Sequence, residues 1–161
     1  MNPGPQTKRP TGPNCTEAPP VPPQAPPGAN LITNIKIAFV LGQFGNSIWL
    51  AMVLPHSVWD YKSRFGQQFA AFGNFNYGAT CFAAGLSETA CQRGAGAAAY
   101  GTSIVNAAFG GRWTAGPGDP IGRAGVDPST GGPIYGDQPG STENGAVVSG
   151  WTFANWFFHC G

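Results

Sequence analysis

The chain has 161 residues, enough for one domain with its own core, and a formal net charge of +1. Charged residues make up only 9%, against about 25% in an average soluble domain. This balance excludes a basic surface that coats nucleic acid, but not an enzyme with a local site.

Residues 1–29, "MNPGPQTKRPTGPNCTEAPPVPPQAPPGA", contain ten prolines and no apolar period. The segment reads as a disordered, semi-rigid linker ahead of a globular domain over 30–161. A Pro-rich ligand for a peptide-binding domain is the other reading. No apolar core with a cleavage site follows Met1, so direct Sec export is not expected. Of the four cysteines, Cys15 falls in the linker, while Cys81 and Cys91 lie where two helical pieces face each other. The pair reads as buried thiols, with a disulfide as the alternative. None of the four has the close spacing of a zinc site.

Asn30 is placed to cap a helix, and Leu31, Ile35, Ala38, Phe39, Gly42, Trp49 and Val53 recur at helical spacing up to Pro55. Gly42 and Gly45 should divide this helix in two. The stretch from Ile37 to Leu54 has no charge, so a membrane helix is weighed beside a buried one. A short helix is expected over 63–71, and two Ala-rich helical pieces over 79–85 and 87–100, the second capped by Ser87. Residues 110–142 form a second Gly/Pro-rich block, with room for a small β-hairpin. The last helix starts near Thr142, with Val147, Val148, Trp151, Ala154 and Phe158 on its apolar side. The fold class is therefore mainly α: a helical domain with long Gly/Pro-rich loops.

Three stretches concentrate polar chemistry. In "VWDYKSRF" an extended backbone would put Asp60 and Lys62 on one side and Tyr61 on the other. Asp60 is then a candidate general base or metal ligand, and Lys62 a candidate for stabilising an anion. The plainer reading is a helix-start Asp with a solvated Lys. In "FGNFNYGAT" Asn74 and Asn76 alternate with Phe75 and Tyr77. Extended, this is an amide-lined face that could orient a substrate; otherwise it is a turn that caps the next helix. In "YGDQPGSTEN" Asp137 and Glu143 could share a divalent cation or act as an acid–base pair. Glu143 alone would complement the start of the last helix.

"WDYK" (59–62), "FGNFNYGAT" (72–80), "AG" (95–96), "YGD" (135–137) and Gly150 occur in an order that resembles the type 44 polymorphic toxin domain of bacteria. "NIKIA" (34–38) is similar to that domain's first helix, so the likeness spans about residues 30–158. The chain departs from the pattern at "HSV" before Trp59 and at Gln138 after "YGD", where a second acidic residue is usual; Glu143 fills a later acidic place.

The resemblance implies a C-terminal toxin module of a larger secreted effector used in interbacterial competition. Such a module is delivered by a specialised secretion system, follows an upstream delivery domain and is neutralised by a cognate immunity protein. It marks Asp60, Tyr61, Lys62, Asn74, Asn76, Tyr77 and Asp137. The expected activity is hydrolysis of nucleic acid, with Asp60 and Asp137 around Mg²⁺, Lys62 stabilising charge, and Tyr61, Asn74, Asn76, Tyr77 and Glu143 binding substrate. The alternatives are a peptidoglycan hydrolase with two carboxylates as acid and base, a membrane-inserting toxin and a non-enzymatic binding module.

Overall fold

The computed structural model describes residues 12–92, 94, 95 and 142–161, excepting the side chains of 142–144. The expected hairpin, Arg93, Asp137, the Glu143 side chain and residues 1–11 lie outside the described residues. Among the described residues all regular structure is helical: α1 (Leu31–Gln43), α2 (Asn46–Val53), α3 (Tyr61–Phe65), a 3-10 turn (Gln67–Phe69), α4 (Ala70–Ala83), α5 (from 88, described to 92 and at 94–95) and α6 (Thr142–Cys160). The mainly α expectation holds.

Asn30 caps α1 as expected, its side chain accepting the Thr33 N–H at 2.9 Å. The helix ends at Gln43, and Gly45 at φ 110 turns the chain into α2. A side chain would be strained at that angle, so glycine sets the division there. The uncharged run thus becomes two short helices. Among the described residues no helix is long and apolar enough to cross a membrane. Trp49 of α2 is buried, but Phe39, expected on the buried stripe, is exposed and lies against Phe158 with ring centres 5.4 Å apart. Phe158 is exposed as well; the inward side of α6 is Val147 and Ala154.

The core is built on the crossing of α4 and α6. A Cβ on Gly78 would lie 1.9 Å from the Val147 carbonyl oxygen, and a Cβ on Gly150 equally close to that of Phe75. Each helix presents a bare backbone to the other, so both glycines serve close approach. Phe72, Phe75 and Ala79 fill the space around this crossing, with Ile35 and Ala38 of α1 in the same core. Phe75 meets Phe153 of α6 with ring centres 5.7 Å apart.

"FGNFNYGAT" is therefore neither extended nor a turn. It is the interior of α4, which takes in most of the piece expected over 79–85, while the helix expected over 63–71 is divided among α3, the 3-10 turn and the start of α4. Gly and Asn weaken an isolated helix, but tertiary packing decides here.

All four cysteines are paired. Cys81 joins Cys91, linking α4 to α5, and Cys15 joins Cys160 at the end of α6. Cys81 and Cys91 are fully buried, as expected, but as a disulfide and not as thiols. Within the Pro-rich segment, Cys15 is tied to α6, Pro26 is fully buried, and Ala25 and Ala29 pack on the core. Chain entropy favours these bridges by about 3 kcal/mol for the short loop and about 5 kcal/mol for the long one. A domain's net stability is about 5–15 kcal/mol, so the bridges are a major part of it.

Candidate functional site

The loop before α3 is a series of tight turns. Trp59 N–H donates to the Met52 carbonyl at 3.0 Å and carries its indole into the core. The Ser57 hydroxyl donates to the same carbonyl. His56 sits at φ 66, a left-handed backbone uncommon for a residue with a side chain.

Asp60 holds this arrangement. Its Oδ2 accepts the His56 N–H at 2.7 Å, and its Oδ1 accepts the Ser63 N–H at 3.2 Å. It is the N-cap of α3, which is the helix-start reading of this residue. Asp60 and Lys62 therefore do not share one side of an extended strand. The cap places Asp60 ahead of the helix, and Lys62 lies in its first turn, half-buried.

Tyr61 points inward. Its ring packs edge-on to Phe72 at 5.0 Å, and its hydroxyl accepts a bond from Asn34 Nδ2 at 2.7 Å. The same Asn34 nitrogen donates to Asn76 Oδ1 at 2.8 Å. This buried triad joins α1, α3 and α4, and Asn76 Nδ2 has no partner within it. Burial pushes the Tyr61 hydroxyl above its ordinary pKa, against smaller lowering influences from Asn34 and Arg64. Asn34 was not among the candidate residues. The signal was present, because it sits on the stripe of Leu31, Ile35 and Ala38, where a polar residue needs a buried partner.

On the helical α4, Asn74 and Asn76 diverge. Asn76 is fully buried, whereas Asn74 is half-buried and makes no side-chain hydrogen bond among the described residues. Asn74 shares the more open side of α4 with Gly73 and Tyr77, at helical spacing. Gly73 faces α3: a Cβ there would lie 3.9 Å from the Lys62 backbone nitrogen and from Tyr61 Cβ.

The Tyr77 hydroxyl donates to the Cys91 carbonyl at 2.9 Å and so ties α4 to α5. Its ring lies 5.7 Å from that of Trp49. Burial pushes this hydroxyl up to about 12 from 10.0. The folded pKa exceeds the unfolded one, so this contribution is complete below pH 10 and is lost as pH rises toward 12. The loss at the upper end is about 2–3 kcal/mol. We expect alkaline unfolding in that window, read by circular dichroism, and a higher midpoint pH for Tyr77→Phe.

Of the eight candidate residues, the structure brings Asp60, Tyr61, Lys62, Asn74, Asn76 and Tyr77 into the α3–α4 region. Asp60, Tyr61, Asn76 and Tyr77 bond to partners among the described residues, and Lys62 is not without a partner either; Asp137 and the Glu143 side chain lie outside the described residues. Both oxygens of Asp60 already accept backbone N–H bonds, and no group of three possible metal ligands occurs among the described residues. The described residues alone do not assemble the expected Mg²⁺ site. A shallow apolar depression of about 360 Å³, lined by residues such as Phe39, Phe82 and Phe158, includes none of the candidates.

The family model for bacterial toxin 44 matches residues 51–139, more than half of the chain. The chain belongs to the bacterial toxin 44 family. The match begins in α2 and takes in the Asp60 loop, α3 and all of α4. The matched span includes "WDYK" and "FGNFNYGAT", which pack together at the α3–α4 junction. No curated protein and no solved structure matches the chain.

Proposed function

We propose that this bacterial toxin domain is a hydrolase used against competing bacteria, with its site on the open side of the α3–α4 junction. The observation that carries this reading is the packing of the two motif segments. "WDYK" and "FGNFNYGAT" meet through Tyr61 and Phe72 and through Gly73 against α3, braced by Asn34. Around that brace Lys62 and Asn74 are half-buried polar motif residues.

In this reading Lys62 stabilises negative charge that develops on the substrate, and Asn74 orients it through its amide. Asp60, Tyr61, Asn76 and Tyr77 position these two by fixing the loop and the helices. Asp137 and Glu143 are the carboxylates expected to complete the acid–base chemistry. Nucleic acid and peptidoglycan are the two substrate classes. The partners are a cognate immunity protein and an upstream delivery domain.

Colony survival after induced expression of Lys62→Ala tests the proposal. Loss of one charge-stabilising group should reduce killing per folded molecule by about 100-fold or more. Undiminished killing by a folded Lys62→Ala chain contradicts the assignment.

A further inference from the structure

We infer that the domain acts in an oxidising compartment and that its substrate is peptidoglycan; this rests on the hydrolytic reading above. Every cysteine is in a disulfide. Reducing systems of the cytosol keep thiols reduced, whereas the periplasm lets disulfides persist. The two bridges also differ in access. Cys81–Cys91 is sealed in the core, but Cys15 is exposed and Cys160 only half-buried. The outer bridge is therefore open to thiol exchange.

That outer bridge maintains more than itself. It spans 145 residues and holds the Pro-rich arm, whose Pro26 is fully buried, against the end of α6. A domain stapled in this way is suited to a place where the staple survives. In a target bacterium that place holds the cell-wall polymer and excludes the nucleic acids.

Charge agrees with this location. A net charge of +1 offers little to a polyphosphate chain, whose binding depends on many phosphate contacts by Lys and Arg. Asn74 instead presents an amide, which can donate to and accept from the hydroxyls and amides of a sugar–peptide polymer. Hydrolysis there adds water across a glycosidic or amide bond. The hydroxyl goes to the anomeric or carbonyl carbon and the proton to the leaving oxygen or nitrogen.

The test uses the full oxidised chain, incubated separately with purified peptidoglycan sacculi, RNA and DNA, the nucleic acids with Mg²⁺. The same chain is expressed in a test bacterium with and without a periplasmic leader. Release of soluble fragments from sacculi, intact nucleic acids and killing only with the leader are expected. Cleavage of RNA or DNA, or killing without the leader, would overturn the inference and leave the hydrolase reading standing. Intact sacculi would overturn the inference whatever happens to the nucleic acids. Intact sacculi and nucleic acids, with full killing by Lys62→Ala, would overturn both.

Discussion

Gly78→Ala is expected to cost about 3 kcal/mol or more and to lower the melting temperature by several degrees. The added methyl would meet the Val147 carbonyl at 1.9 Å, with the Val147 carbonyl carbon at 2.8 Å and Trp151 N at 3.1 Å. Backbone cannot move aside as the end of a flexible side chain can. The helices would have to part, and the contacts of Phe75 and Val147 would loosen with them. Gly145→Ala is the control: it lies in α6 with nothing within 4 Å of the new atom. Removing a helical glycine in open space should stabilise by about 0.5–1 kcal/mol. Thermal unfolding of the two variants should therefore move in opposite directions.

The second large effect is expected from the outer disulfide. Replacing Cys15 and Cys160 together with serine removes a constraint worth about 5 kcal/mol by chain entropy. For a chain of this size, that corresponds to a melting temperature lower by roughly 10–20 °C. The arm should detach first, because Pro26, Ala25 and Ala29 would depend on packing alone. Limited proteolysis should then cut within 12–29 while the helical body persists. An unchanged melting temperature would show that the arm is held without the bridge.

Part of this fold was legible in the chain. Asn30, the Gly42–Gly45 break and the last helix could be read because capping, backbone freedom and apolar spacing act locally. The α4 helix was not legible over "FGNFNYGAT", since Gly78 is there for contact with α6, about 70 residues away. Local propensity and tertiary need point in opposite directions at Gly78. The disulfide to Cys15 was hidden for a similar reason: a Pro-rich composition gives no sign that its far end is tied down.

The candidate site was legible as a set of residues but not as a set of roles. Asp60 reads more plainly as a helix cap than as a base, and its two oxygens on the His56 and Ser63 amides bear out the cap. Asp60→Ala therefore mixes chemistry with the loss of a loop anchor, and is a poor test of activity. The two asparagines share one face only if the segment is extended. In a helix they separate, and Asn76 joins Asn34 and Tyr61 in the core while Asn74 stays at the open side.

That separation can be measured directly by comparing Asn74→Ala with Asn76→Ala for both melting temperature and killing per folded molecule. The account predicts a crossed result. Asn74→Ala should keep its melting temperature and lose most of its killing. Asn76→Ala should melt lower, because it removes the buried acceptor of Asn34 at a cost of about 1–3 kcal/mol, and should keep killing in the fraction that remains folded. A stable but inactive Asn76→Ala beside a fully toxic Asn74→Ala would contradict it.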